Sequence, residues 1–124
     1  MGAGMDKNDL QSRTKKFAID IISYTDSLPK NSVFYIIGNQ LLRSGTSIGA
    51  NYRASLRAKS KADFIYKVKI VEEEADETCY WLELILESDI KIPAKTEILW
   101  KEANELTAIF TKIGITSKQN QKKE

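Results

Sequence analysis

The chain has 124 residues, with 19 lysines and arginines against 17 aspartates and glutamates, a formal net charge of +2 and 42% hydrophobic residues. That is the length of one domain, and the apolar fraction is too high for a disordered chain. Histidine is absent, which removes Ser-His-Asp and Cys-His triads, HExxH zinc sites and most imidazole acid–base chemistry at once.

No apolar run reaches the roughly 20 residues that span a bilayer. The N-terminus also lacks the basic and apolar regions of a signal peptide, so a cytoplasmic protein without a membrane partner is expected. Cys79 is the single cysteine, which rules out an intrachain disulfide and suits a reducing compartment. Met1-Gly2-Ala3-Gly4 ahead of Met5 reads as an expression scar, and residues 1–8 are expected to be a flexible N-terminus.

Four segments carry the helical period. The first runs from about Asp9 to Leu28, with Leu10, Thr14, Phe17, Ile21, Tyr24 and Leu28 on one stripe and Pro29 ending it. The second starts near Ser32, read as its N-cap, and places Phe34, Ile37, Leu41, Gly45, Ile48, Tyr52 and Leu56 on one face. Beside them lies a stripe of small and polar groups, Gln40, Ser44, Ser47, Asn51 and Ser55. The glycines at 38, 45 and 49 each cost about 1 kcal/mol against alanine in a helix. Two readings follow: a break near Gly45, or a continuous helix whose small residues admit a neighbouring backbone.

The third segment opens on Ser60-Lys61-Ala62-Asp63, a variant capping box. Phe64, Val68, Val71, Ala75, Thr78, Leu82 and Ile85 then form a seam, with Ile65, Ile70, Trp81 and Leu84 beside it. That face is wider than the usual apolar stripe, so the helix is central in the bundle or buried against another subunit. The fourth opens at Pro93 and presents Leu99, Ala103, Leu106, Phe110 and Ile113, with Gly114 a natural stop. Short connections between long amphipathic helices predict an all-α, antiparallel up-down-up-down four-helix bundle over residues 9–116. Residues 117–124 read as a disordered polar tail.

Charge is segregated along the chain. Between positions 43 and 69 the bases are Arg43, Arg53, Arg57, Lys59, Lys61, Lys67 and Lys69, against Asp63 alone. From Glu72 to Asp89 the acids are Glu72, Glu73, Glu74, Asp76, Glu77, Glu83, Glu87 and Asp89, with no base. This order runs against the helix dipole, which favours acids early and bases late. One reading is a solvated face with inter-helix ion pairs; another is a basic belt that holds phosphates. A head-to-tail assembly of basic and acidic ends is compatible with both.

Glu73, Glu74 and Glu77 lie within one turn or so of each other, but a dinuclear metal bundle needs Glu-x-x-His pairs and further inward carboxylates, so neither a metal nor another cofactor is expected. No phosphate loop, dinucleotide turn or nucleophile elbow occurs. Cys79 reads as a small buried hydrophobe. Asn51 and Arg43 on the second helix, and Glu74 and Glu77 on the third, are placed to form a structural, charge-assisted polar network if those faces meet.

Three stretches carry a resemblance. Gln40-Leu41-Leu42-Arg43-Ser44-Gly45-Thr46-Ser47-Ile48-Gly49-Ala50-Asn51-Tyr52-Arg53-Ala54, Ser60-Lys61-Ala62-Asp63-Phe64-Ile65-Tyr66-Lys67 and Glu74-Ala75-Asp76-Glu77-Thr78-Cys79-Tyr80-Trp81-Leu82 resemble the four-helix-bundle proteins related to those encoded in 23S ribosomal RNA intervening sequences. The likeness extends over about Phe17 to Ile113, and it departs at Ala54, where a glutamate is expected. It implies a bundle that assembles into a ring, a homopentamer, without an established activity. The related accessory proteins of diversity-generating retroelements share bundle and ring, and use a basic surface for nucleic acid and a reverse transcriptase. By that analogy Arg43, Arg53, Arg57, Lys59 and Lys61 are the expected phosphate contacts, and RNA, DNA or a nucleic-acid-handling protein the expected partners. The resulting expectation is a non-enzymatic nucleic-acid-binding ring; the alternative is a protein-interaction scaffold whose segregated charges serve only self-assembly.

Overall fold

The computed structural model describes residues 6–88 and 91–123. Among them are four helices, α1 Lys7–Asp26, α2 Ser32–Ser55, α3 Lys61–Glu87 and α4 Lys95–Lys122, and no strand. Consecutive helices pack along their lengths, α1 closes the circuit on α4, and α1 and α3 stand diagonally across the core, with no Cα atoms within 8 Å of each other. The result is the antiparallel four-helix bundle that the short connections dictate.

Local chemistry starts each helix. Asp6 accepts from the Asp9 amide at 2.8 Å, Asn31 from the Phe34 amide at 3.0 Å and Ser60 from the Asp63 amide at 3.1 Å. Each satisfies an amide that the first turn leaves without a helical partner. Asp63 completes a displaced capping box, because its carboxylate accepts from the Lys59 amide at 3.0 Å and not from that of the cap itself.

The apolar stripes converge on one core, in which Phe17, Ile21, Leu41, Ile48, Val68, Val71, Leu82, Leu106 and Phe110 are fully buried. Two buried hydroxyl pairs lock neighbours together. Thr78 Oγ1 donates to Ser44 Oγ at 2.9 Å between α3 and α2, and Tyr24 Oη lies 2.6 Å from Thr96 Oγ1 between α1 and α4. Burial raises the Tyr24 phenol above its ordinary value.

Helix α2 runs unbroken through its glycines, and the close neighbour they admit is α1. A Cβ at Gly45 would lie 3.0 Å from both Cγ atoms of Ile21, and one at Gly49 would lie 3.2 Å from Thr14 Oγ1. The small residues therefore trade helix propensity for close packing.

The ends differ from expectation. Helix α1 begins at Lys7, two residues before Asp9, because Asp6 caps it; it ends at Asp26 and not at Leu28. Helix α4 begins at Lys95, after Pro93 has accepted the Thr96 amide at 3.1 Å. It then passes through Gly114 to Lys122, where a disordered tail from Ser117 was expected. A glycine stops a helix by turning left-handed, and among the described residues no glycine has a positive φ. Ser117 and Asn120 of the added turns line one side of a groove whose other side is the α2–α3 turn. Residues 1–5 of the expected flexible N-terminus, Asp89 of the acidic run, Ile90 and Glu124 lie outside the described residues.

Candidate nucleic-acid interface

The close approach of α1 to α2 leaves a groove of about 550 Å³ on the outer side of their seam. Its floor is made of small residues, Ala18, Gly49 and Ala50, and its walls carry Gln11, Ser12 and Thr46. Lys15 of α1, Arg53 of α2 and Arg57 just past the end of α2 supply three cations, and no carboxylate lines it. Among the described residues none of these three makes an ion pair. Arg57 follows the C-cap Leu56 in a turn closed by its amide on the Ala54 carbonyl at 3.1 Å, and it lines the same groove as Arg53.

A second groove, of about 380 Å³, opens at the same end of the bundle, where the α2–α3 turn meets the last turns of α4. Lys59, Ser60 and Lys61 form its rim, and Phe64 and Ile65 its apolar side. The expected belt thus divides: Arg53 and Arg57 on one groove, Lys59 and Lys61 on the other. The next two cations along α3 are drawn into local pairs, Lys67 with Asp63 at 2.7 Å and Lys69 with Glu72 at 3.4 Å. The Lys67 hydrogen bond, with help from the Lys59 amide, holds the Asp63 carboxyl below its ordinary value.

Arg43 stands apart. It lies ten residues before Arg53 on α2, about 15 Å along the axis. Its guanidinium faces α3, donating to Glu77 and, at 3.3 Å, to Glu74. Glu77 also accepts from the Trp81 indole at 3.1 Å. These bonds raise the Arg43 pKa, the hydrogen bond to Glu77 contributing most. The structure therefore groups Arg43 with Glu74 and Glu77 and not with the phosphate-facing cations. The cluster lies at the rim of the α2–α3 contact, with the Arg43 side chain 49% exposed. Asn51 does not join it, because its amide donates to the Ser47 carbonyl one turn back at 2.8 Å. Ser44, paired with Thr78, is the stripe residue that crosses to α3.

Lys15 was missed in the sequence. It sits on a polar flank of α1, and only the packing of α2 beside that flank makes it a groove residue. Among the described residues no group of three His, Cys, Asp or Glu side chains is placed to hold a metal. Cys79 is buried, its Sγ lies 3.6 Å from Thr107 Oγ1, and burial pushes the thiol up. No helix among the described residues is long and apolar enough to cross a membrane.

Fold and surface together define a small four-helix bundle with a basic end and a third helix whose charges are segregated. The chain belongs to the 23S rRNA-intervening sequence protein family, whose model matches residues 6–112. Among solved structures it is similar to a protein of unknown function from the S23 ribosomal protein family of Bacteroides thetaiotaomicron VPI-5482. The two share 34% sequence identity and a TM-score of 0.77 over 85% of this chain and 97% of that one. No functionally curated protein matches the chain.

Proposed function

We propose that this protein is a non-enzymatic cytoplasmic bundle that binds the phosphate backbone of nucleic acid at its basic end. The observation that carries the reading is the α1–α2 groove, which gathers Lys15, Arg53 and Arg57 without a carboxylate. Lys59 and Lys61 extend the same basic end around the α2–α3 turn. Cations on a polar surface attract phosphates chiefly by counterion release, without reading sequence. The family's name refers to intervening sequences of 23S rRNA, which makes structured RNA the first ligand to test.

The test is fluorescence anisotropy of a labelled RNA hairpin and a DNA duplex titrated with protein at increasing salt. Five phosphate contacts, from Lys15, Arg53, Arg57, Lys59 and Lys61, give a log–log slope of about −3.5 to −4.5 per subunit. Arg53→Glu, Arg57→Glu and Lys59→Glu together abolish binding with helicity unchanged, whereas Arg43→Ala leaves affinity within about twofold. Retained binding in the triple variant refutes the reading.

A second reading is a scaffold whose segregated charges serve self-assembly into a ring, five-membered as the family resemblance implies. Exposed apolar side chains on α1 and α3 favour it, among them Ile19, Ile22, Tyr80 and Leu84. Under this reading no nucleic acid binds at moderate salt, and charge reversals on α3 break the assembly. Both readings hold together if the ring repeats the basic end and adds avidity.

A further inference from the structure

The second basic groove, between the α2–α3 turn and the last turns of α4, has a makeup that phosphate attraction alone does not explain. Lys59 and Lys61, both exposed, stand on its rim. Phe64 and Ile65, in the first two turns of α3, form its apolar side. Ser117 and Asn120, from the far end of α4, line it across from the turn. No carboxylate lines the groove. Asp63, the acid nearest in sequence, is engaged elsewhere. Its carboxylate accepts from the Lys59 amide at 3.0 Å and pairs with Lys67 at 2.7 Å.

Each part has a physical reason for its place. Phe64 is half-buried and packs against the core, so its ring is held before any ligand arrives, which lowers the entropy lost on binding. Ser117 and Asn120 reach the groove because α4 continues through Gly114 to Lys122. Among the described residues neither of their side chains is held in a hydrogen bond within the bundle. A hydroxyl and an amide therefore face the groove's solvent as neutral donors and acceptors. Both residues lie beyond the 6–112 stretch that matches the family model, so the α4 side of the groove comes from outside the matched stretch.

Cations beside an aromatic face, with neutral donors and acceptors across from it, match the three parts of a nucleotide. These are an anionic phosphate, a flat base with a π-face, and a base edge that donates and accepts hydrogen bonds. A duplex does not present that combination, because its bases cover one another's faces. An unpaired nucleotide does. The groove's volume of about 380 Å³ sits at the lower end of the roughly 300–1,000 Å³ of small-ligand pockets. The two basic grooves also adjoin, since Arg57 lines the first and its chain neighbour Ala58 lines the second. A strand whose phosphates follow Arg53 and Arg57 thus passes directly to Lys59.

We infer that this groove holds one unpaired nucleotide of a single-stranded or looped nucleic acid. Its base lies against Phe64 and Ile65, its edge towards Ser117 and Asn120, and its phosphates at Lys59 and Lys61. The lysines attract any nucleic acid, whereas Phe64 favours strands with free bases. Stacking tolerates any sequence, because every base has a π-face. The inference rests on the nucleic-acid reading above and adds to it the class of ligand.

The experiment compares a labelled single-stranded RNA with a blunt RNA duplex of equal length by fluorescence anisotropy, using the full chain. The single strand is expected to bind more tightly. Phe64→Leu keeps an apolar side chain at the half-buried position and removes the ring. It is expected to weaken single-strand binding roughly tenfold and duplex binding far less. The log–log salt slope should not change, because stacking releases no counterions. Phe64→Tyr replaces the ring and is expected to restore affinity. Asn120→Ala, on an exposed turn, is expected to cost a few-fold in the single-strand assay. A fluorescent purine analogue in a short uridine strand provides a spectroscopic arm: stacking quenches its emission, and Phe64→Leu should abolish the quench. Adenosine monophosphate in excess should not displace the strand, because it has no neighbouring phosphates for Arg53 and Arg57. Displacement would assign the groove to a free nucleotide and overturn the strand as its occupant. A loss in Phe64→Leu that is equal for both RNAs, or that Phe64→Tyr shares, also overturns the inference. If both RNAs bind with steep salt dependence and Phe64→Leu changes neither, this inference falls and the phosphate-backbone reading stands. If neither RNA binds, both fall.

Discussion

Adding one methyl group to α2 and one to α4 should move stability in opposite directions. At Gly45 a built Cβ meets Ile21 Cγ1 and Cγ2 at 3.0 Å and Ile21 Cβ at 3.4 Å. Carbon atoms prefer about 3.5–4.0 Å, so the contact must open by roughly 0.5–1 Å. Ile21 cannot yield easily, being fully buried and stiff at χ1 in a helix. Overpacking of this kind costs about 1–3 kcal/mol, against a helix-propensity gain of about 1 kcal/mol. Gly45→Ala should therefore lie between neutral and about 2 kcal/mol less stable.

At Gly114 nothing lies within 4 Å of the built Cβ, so Gly114→Ala keeps the gain of about 0.5–1 kcal/mol. For a domain of this size 1 kcal/mol corresponds to about 3–5 °C in Tm. Far-UV circular dichroism melts at one fixed protomer concentration, with urea titrations for ΔG, measure both. If Gly45→Ala stabilises as much as Gly114→Ala, α1 does not approach α2 as closely as described here. A destabilised Gly114→Ala would equally count against a helical α4 at that position.

Four further outcomes are expected. Thr78→Val removes the donor to Ser44 and should lower stability by about 1–2 kcal/mol in urea titration; an unchanged midpoint would show that the hydroxyl pair is dispensable. Arg13 donates to Glu102 at 2.6 Å and 2.7 Å and to Glu105 at 3.3 Å between α1 and α4, so Arg13→Ala should cost about 1 kcal/mol, less at high salt. Cys79, buried with a raised thiol pKa, should react with iodoacetamide far more slowly in native than in urea-unfolded protein; equal rates would contradict its burial. The Asp63 carboxyl is held below its ordinary value of 3.8. Its charged form therefore stabilises the fold above that value, and the contribution is lost as pH falls through the lower native one. Asp63→Asn should flatten the acid limb of the Tm–pH curve, and an unchanged limb would refute the assignment.

Much of the core was legible in the sequence because helical periodicity and burial have one cause. Leu10, Phe17, Ile21 and Tyr24 recur at threes and fours, and all four are buried. Thr14 and Thr78 were placed on buried stripes despite their hydroxyls, which bond to the Leu10 carbonyl and to Ser44. Ser60 announced its helix start through local chemistry that needs no tertiary partner, whereas the cap expected at Ser32 falls one residue earlier, on Asn31.

Other features needed the tertiary structure, each because it depends on a neighbour distant in sequence. Whether α2 breaks at Gly45 was open until Ile21 of α1 was seen against it. Gly114 was expected to end its helix, yet α4 runs on through it, with Ser117 and Asn120 lining a groove beside the α2–α3 turn. Arg43 belonged equally to a basic belt and to an ion-pair cluster in one dimension, and the register of α3 placed it with Glu74 and Glu77. Helix stripes, caps and charge order are properties of residues a few positions apart, so the sequence alone determined them. Which stripe meets which, which cation is left unpaired, and which residues line one groove depend on packing between distant segments, and only the bundle decided them.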